Sequence, residues 1–171
     1  MAVIFDIAPS PDSVDNWGSA LGTLESRASQ TWVADVNATL TSVEVKMYKL
    51  NSPTDNVTLT VYSGGSNPEN GTSLGTVVID GSTFPSSAGT YTTFTFSTPI
   101  TITSGTTYWF TFTRATLDSV NRYRWEHLTT GSGGWEYLAD SGGWFAEAAI
   151  IANSIRSNGS LSILARPIFY K

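Results

Sequence analysis

Cysteine is absent from this chain of 171 residues, which excludes disulfide bonds, thiolate metal sites and cysteine nucleophiles. Charged residues are also scarce, at 13% of the chain, and Thr and Ser take their place. Fourteen acidic residues outnumber nine basic ones, which are scattered along the sequence. A surface that binds nucleic-acid phosphates needs clustered Lys and Arg, so we expect no nucleic-acid partner.

Long hydrophobic runs are missing as well. No segment approaches the roughly 20 apolar residues that span a bilayer, and the first residues lack the basic and apolar regions of a secretory signal. We therefore expect no membrane association. If Met1 is the native start, we expect a protein kept inside the cell until assembly or lysis. If it is not, we expect the chain to be cut from a larger secreted protein.

An alternating pattern fills the region from Leu40 to Phe112, where apolar positions alternate with Thr or Ser and turn residues separate the segments. A period of two places the apolar side chains on one face of a strand and the Thr side chains on the other. The apolar positions are Val43, Val45 and Met47 in a strand predicted over Thr39–Leu50; Val57, Leu59 and Val61; Phe94 and Phe96; and Tyr108, Phe110 and Phe112. A further strand is predicted at Ser29–Ala34. The pattern predicts an all-β fold, an antiparallel two-sheet β-sandwich of about ten strands.

The N-terminal region has a different character. Val3–Ile7 can form a strand, but Pro9 and Pro11 follow, and residues 13–28 lack a clear period. We predict an N-terminal strand and extended arm over residues 1–28 and the β-sandwich domain over residues 29–171. The arm either covers one end of the sandwich or docks on a partner subunit.

Two further segments are less regular. Pro99–Ile102 predicts the start of a short edge strand, because proline is tolerated at a strand's first residue. Phe145–Ile151 is the one segment in which a short helix competes with a strand.

Several segments carry a family resemblance: Leu40–Lys49, Ser52–Val57, Leu59–Tyr62, Phe94–Ile100, Ser104–Phe110 and Tyr123–Trp125. They resemble jelly-roll-like β-sandwich modules of bacterial surface proteins and of phage virion and tail proteins, over about residues 29–150. The resemblance implies a jelly-roll-like fold and an adhesive, decorating or glycan-binding role rather than an enzymatic one. The chain shows no anchor signal, secretion signal or neighbouring catalytic domain, which favours a free-standing virion subunit.

Catalytic chemistry has few candidates in this sequence. A glycosidase needs two facing carboxylates, and Glu126, Glu136, Asp140 and Glu147 lie near aromatic residues without a diagnostic pairing. A hydrolytic triad needs Ser, His and an acid, but the single histidine, His127, lies on a predicted strand, and no Gly-X-Ser-X-Gly elbow surrounds any serine. We predict no enzymatic activity and no catalytic residue.

A structural calcium ion is the one cofactor that the sequence leaves open. Calcium takes oxygen ligands from Asp, Asn and backbone carbonyls at turns, and the weak candidates are Asp35, Asn37 and Asp55, with Asn56 and Asp80 as further donors. No spacing matches an EF-hand loop, and one histidine is too few for zinc. The alternative is that these residues form ordinary Asx turns.

Aromatic residues in and beside Gly-rich turns are the strongest binding candidates. Sugar rings stack on exposed aromatic rings while polar neighbours bind their hydroxyl groups. The candidate ligand- or partner-binding residues are Trp125, Trp135, Tyr137, Trp144, Arg122, Arg124, Glu136 and Asp140. The alternative is packing in the core or at a subunit interface, where the same residue types are enriched.

Two functional hypotheses follow. The first is a non-enzymatic structural module, a phage virion accessory protein of the capsid-decoration or tail-associated kind. It would lie on the virion surface, contact other virion subunits and form a homo-oligomer, taken here as a trimer. The alternative is an extracellular or cell-surface carbohydrate-binding or host-adhesion module that uses the loop aromatics to bind a cell-surface glycan.

Overall fold

The computed structural model describes residues 2–7, 19–21, 25–68, 70–116, 118, 120–128, 134–138, 143–146, 152–153 and 155–161. Over these residues the chain forms β-strands and no α-helix, with a single 3₁₀ turn at Gly81–Thr83. The predicted all-β class is therefore confirmed.

The described residues form fifteen strands, nine of which have five residues or more, against about ten expected. The first eight are β1 (Ala2–Ile7), β2 (Ser19–Leu21), β3 (Glu25–Val33), β4 (Ala38–Val45), β5 (Met47–Leu50), β6 (Val57–Ser63), β7 (Thr72–Ile79) and β8 (Thr92–Ile102). The others are β9 (Thr107–Arg114), β10 (Arg122–Trp125), β11 (His127–Leu128), β12 (Gly134–Leu138), β13 (Gly143–Ala146), β14 (Ala152–Asn153) and β15 (Ile155–Leu161).

Two large sheets contain most of these strands. One has four strands in the order β1-β15-β4-β8, and the other has nine, with the order β5-β10-β2-β3-β9-β6-β7, β12 beside β3, and β13 beside β12. A short ladder joins β11 and β14. The pairs are antiparallel except for one parallel contact between Leu21 of β2 and Glu25 of β3.

The N-terminal strand predicted at Val3–Ile7 is present as β1, which pairs with β15 in the four-stranded sheet. Residues 8–18, where the extended arm was predicted, lie outside the described residues. The strand predicted at Ser29–Ala34 is longer than expected, because β3 begins at Glu25.

The segment predicted as one strand, Thr39–Leu50, is divided at Lys46. β4 ends at Val45 in the four-stranded sheet, and β5 begins at Met47 in the nine-stranded sheet. Val45 and Met47 are both fully buried, so the alternation of buried positions continues unbroken while the chain passes from one sheet to the other. The backbone N–H of Glu126 donates to the Lys46 carbonyl at 2.9 Å, which fixes the crossing point.

The hydrophobic core contains residues of both sheets. The apolar positions that the alternating pattern predicted are buried, including Val43, Val57, Leu59, Val61, Phe94, Phe96, Tyr108, Phe110 and Phe112. Phe94 of β8 meets Phe112 of β9 with ring centroids 5.3 Å apart. Each fully buried large apolar side chain contributes about 1.5–3 kcal/mol, so this cluster dominates the stability of the fold.

Pro99 lies inside a strand and not at its beginning. β8 runs from Thr92 to Ile102, so the predicted strand start at Pro99 is wrong. The prediction of an edge position is confirmed, because β8 is the last strand of the four-stranded sheet. The register against β4 shifts between Thr95 and Ile100, so Pro99 lies in an irregular stretch without a register partner, where its missing N–H removes no ladder hydrogen bond. At the other irregular segment, Phe145 and Ala146 lie in β13, and residues 147–151 lie outside the described residues.

Candidate functional site

Trp125, one of the predicted binding aromatics, is a core residue. It is 0% exposed, and its ring meets that of Phe112 edge-on at 4.6 Å between centroids. A ring without exposed surface offers no face on which a sugar could stack. Its position matches the packing alternative that the sequence left open.

Arg122 and Arg124 lie on β10, where they alternate with the buried residues Tyr123 and Trp125. Both arginines are half-buried, and the alternation places them on the face of the nine-stranded sheet that points away from the core. We call this face the outer face.

The other predicted aromatics lie on a neighbouring hairpin. The backbone of Trp135, Glu136 and Tyr137 belongs to β12, and that of Trp144 belongs to β13. β12 pairs with β3, whereas β10 lies between β5 and β2, so the two arginines are on different strands from this hairpin. Asp140 lies outside the described residues.

A depression of about 470 Å³ lies on the outer face of the nine-stranded sheet. We call it the outer trough. Its volume falls within the range of roughly 300–1,000 Å³ that is usual for small-ligand sites. Strands β3, β6, β7 and β9 supply the lining residues Arg27, Thr58, Thr60, Tyr62, Val78 and Thr113, and Asn56, Arg114 and Ala115 complete it.

Strand register explains why these residues meet. Arg27 pairs with Thr113, Thr113 with Thr58, and Thr58 with Val78. Directly paired residues share a face of a sheet, so the four form one row across β3, β9, β6 and β7. The backbone register continues this row outward through Tyr137, which pairs with Arg27, to Trp144.

The lining of the outer trough carries hydroxyl, aromatic and cationic groups. Thr hydroxyls donate and accept hydrogen bonds, the half-buried Tyr62 adds an aromatic ring, and Arg27 adds a cation. The hydroxyl oxygen of Thr60, one of the lining residues, lies 3.2 Å from that of Thr76 on β7. None of the lining residues is Asp, Glu or His, so the lining contains no acid, base or metal-ligand set for hydrolysis.

Beside the outer trough, an ion pair fixes the loop before β6. Arg114 donates to both carboxylate oxygens of Asp55, with Nη2–Oδ1 at 2.6 Å and Nε–Oδ2 at 2.8 Å. The Arg114 side chain is 1% exposed and that of Asp55 is 15% exposed, so water screens the pair little. Arg114 Nη1 also donates to the carbonyl of Asn121 at 2.9 Å.

Tyr123 completes this cluster from β10. Its hydroxyl donates to the Asp55 carbonyl at 2.7 Å, and the Arg114 guanidinium lies 5.0 Å from the centre of its ring. Burial, together with the negative charge of Asp55, raises the pKa of Tyr123 to about 12. The cluster holds one edge of the outer trough in place, and its groups are engaged with each other.

Two of the three weak calcium candidates, Asp55 and Asn37, make other contacts in the described structure. Both carboxylate oxygens of Asp55 accept from Arg114, which places a cation there already. Asn37 Oδ1 accepts from the Ser104 N–H at 2.9 Å, and Asp35 is exposed. Within the described ranges, no group of three or more His, Asp or Glu residues could hold a metal ion. A structural calcium ion stays a prediction.

Asp80 caps the 3₁₀ turn. Its Oδ1 accepts from the Ser82 N–H at 2.8 Å, and the hydrogen bonds from Ser82 hold the pKa of Asp80 below its usual value. This is the turn-capping role that the sequence offered as the alternative to calcium binding.

Glu126, a carboxylate near the predicted aromatics, is also engaged in a structural contact. It is 8% exposed and accepts a short hydrogen bond from the backbone N–H of Gly89. This contact ties the loop before β8 to the end of β10.

Comparisons with known proteins add no family assignment. The chain matches no family model, and no curated protein matches it. In the part of the chain that the structure describes, no helix has the length and apolar character needed to cross a membrane.

The residues of the outer trough were missed by sequence reasoning. The signal was present in the Thr-Leu-Thr-Val-Tyr run at 58–62 and in Thr113, but the alternating pattern predicts only that these Thr side chains lie opposite the apolar face. Which Thr-bearing strands are neighbours depends on the strand order, and the alternating pattern does not contain it.

Proposed function

We propose that this chain is a non-enzymatic structural or interaction module, and that it serves as a phage virion accessory protein of the capsid-decoration or tail-associated kind. The observation that carries the proposal is the outer trough, because its lining offers polar and aromatic contacts and contains no Asp, Glu or His. The low charge and the Thr-rich strand faces support a place on the virion surface, among other subunits.

We also propose that the two large sheets are the layers of a β-sandwich with a jelly-roll-like path. Support comes from the ring contact between Phe94 and Phe112, which belong to different sheets. Gly75 of β7 faces the side chains of Ile100 and Phe96 on β8, and the chain changes sheets at Lys46. Strands that switch sheets form the corners of sandwiches.

The virion assignment can be tested on particles. Mass spectrometry of purified phage particles, produced from the genome that encodes this chain, should detect it at a fixed ratio to the major capsid or tail protein. Purified chain should also rebind particles that lack it, without consuming any component. Absence from the particles, or turnover of a particle glycan by the chain, would contradict the proposal.

A second candidate, carbohydrate binding, is favoured by the register row that carries the outer trough. Thr58 and Thr113 are placed to bind hydroxyl groups, Arg27 to bind a hydroxyl or carboxylate group, and Tyr62 offers a ring. The same row continues at backbone level to Tyr137 and Trp144, two of the aromatics predicted to bind sugar. We propose a neutral or acidic oligosaccharide as the ligand class.

A glycan array with matched variants tests this candidate. Arg27→Gln and Thr60→Val should each weaken binding of any positive glycan by about tenfold, because each removes one or two hydrogen bonds of about 1 kcal/mol or more. Thr95→Val, on the exposed side of β8, is the control and should bind like the unmodified chain. Unchanged binding by both trough variants, at unchanged melting temperature, would rule out the outer trough as the glycan site.

A further inference from the structure

Strand β7 is the last strand of the nine-stranded sheet, and no other strand of the described ranges pairs with its outer edge. An open edge presents N–H and C=O groups that can pair with another chain. Proteins usually protect such an edge with proline, with charged side chains or by keeping the strand short. β7 has eight residues, Thr-Ser-Leu-Gly-Thr-Val-Val-Ile, and contains neither proline nor a charged residue.

The other edge strands of the described structure carry such protection. β8 contains Pro99, and β1 contains Asp6. β5 has four residues and contains Lys49, and β13 has four residues. The comparison distinguishes β7 as a long edge whose sequence permits pairing.

Both faces of β7 also leave apolar surface uncovered. A register shift opposite Val61 and Tyr62 interrupts the first half of the strand, which leaves Gly75–Ile79 as a regular segment centred on Val77. On the outer face, Val78 is 55% exposed. On the inner face, Val77 and Ile79 pack against the core but remain partly exposed.

We propose that the occupant of this edge is a second copy of the same chain. Two copies would pair their Gly75–Ile79 segments antiparallel about a two-fold axis at Val77. Val77 would then face its own counterpart, and Thr76 of each copy would lie opposite Val78 of the other. Cross-strand pairs of β-branched side chains stabilise antiparallel sheets, and an uncharged segment gives two copies no local repulsion, although each carries a net charge of −5.

The pairing has a consequence for the outer trough, because Val78 belongs to its lining. Two troughs would meet at the shared edge and form one surface across both subunits. A two-fold contact of this kind produces a dimer, in place of the trimer that the sequence analysis took as its oligomer. The dimer contact stands independently of whether the ligand is a glycan or a virion subunit.

Sedimentation equilibrium of the full chain tests the contact. The unmodified chain should dimerise, and Thr76→Lys/Val78→Lys should raise the dimer dissociation constant at least about tenfold, because like charges would lie directly opposite each other. Thr76→Glu/Val78→Lys places opposite charges across the same pairs and should retain the dimer. Thr95→Lys/Ser97→Lys, on the exposed face of edge strand β8, is the control and should dimerise normally.

Disulfide cross-linking gives an independent readout. The chain contains no cysteine, so an introduced cysteine can pair only with its counterpart in a second copy. Directly paired Cα atoms in an antiparallel ladder lie about 4.5–5.5 Å apart, within the range that a disulfide spans. Val77→Cys should therefore form a covalent dimer on mild oxidation, and Thr95→Cys should not. We expect a dimer dissociation constant below about 100 µM, so an unmodified chain that stays monomeric at that concentration would overturn the contact. Dimers unaffected by the Lys pair, or a failure of Val77→Cys to cross-link, would overturn it as well.

Discussion

Gly81 lies where two neighbours leave no room for a side chain. A Cβ at this position would overlap the Tyr123 hydroxyl and the Asp55 carbonyl, the two groups that hydrogen-bond to each other at 2.7 Å. The alternating pattern assigns this glycine no role. Its role becomes visible when β10 and the loop before β6 are brought together around it.

Gly81→Ala should lower the free energy of unfolding by about 2–4 kcal/mol, since overpacking costs about 1–3 kcal/mol and the lost hydrogen bond about 1 kcal/mol more. Urea denaturation of the variant measures this difference. Ser86→Ala changes an exposed residue of the same loop and should stay within about 0.5 kcal/mol of the unmodified chain. Equal stability of the two variants would contradict the prediction, because it would show that Tyr123 and Asp55 move aside for an added methyl group at little cost.

Tyr123 gives the molecule a specific response to alkaline conditions. Its pKa is about 12 in the folded chain and about 10 in an unfolded one. Below about pH 10 both states keep the proton, so Tyr123 adds no pH dependence. Between about pH 10 and 12 the unfolded state releases its proton first, and the free energy of unfolding should fall as the pH rises.

Tyr123→Phe removes this proton and should make the alkaline decline shallower. Urea denaturation of both proteins at intervals from about pH 8 to 12 compares the slopes directly. Because Phe also loses the hydrogen bond to Asp55, the variant should be less stable near pH 8. The difference in the free energy of unfolding between the two proteins should narrow with rising pH. Parallel curves would contradict the raised pKa.

At the scale of strands, the alternating pattern predicted which side chains are buried but not where a strand belongs. Val45 and Met47 were correctly predicted on one face, yet nothing in the pattern marks Lys46 as the crossing between sheets. Alternation records only whether a side chain faces the core, and the core is shared by both sheets. The same limit explains Pro99, whose edge position was predicted while the continuous strand around it was not.

The candidate site shows the same division. The Thr faces of β6 and β9 were readable in advance from the alternating pattern, whereas the expectation of a binding role without catalysis stays a prediction. Strand order was not readable, so the row from Arg27 to Val78 could not be assembled from the sequence. Trp125 could be recognised as a core residue only from its position between β5 and β2, where a residue on the inner face of the sheet is buried.

At the scale of the whole molecule, the four-stranded sheet depends on β15. This strand lies between β1 and β4 and pairs with both, although it is the last described strand of the chain. Its removal separates β1 from the sheet and leaves β4 and β8 as a two-stranded ladder, which is marginally stable in water.

Deletion of residues 155–171 should therefore abolish the cooperative thermal unfolding transition, as followed by circular dichroism. Deletion of residues 1–7 is the comparison, because it removes only the edge strand β1 and leaves β15, β4 and β8 together. We expect the second variant to unfold cooperatively at a lower temperature. A sharp transition in the first variant would show that the nine-stranded sheet folds without its partner sheet.

The central place of β15 also bears on how the protein is made in the cell. A ribosome synthesises β1 and β4 long before β15, the strand that pairs with both. During translation, therefore, each of them has an unpaired strand edge. Exposed strand edges of this kind favour aggregation of nascent chains. Because the chain carries few charged residues, electrostatic repulsion between nascent chains is weak. Slow synthesis of the last third of the chain would lengthen the time for which these edges are exposed.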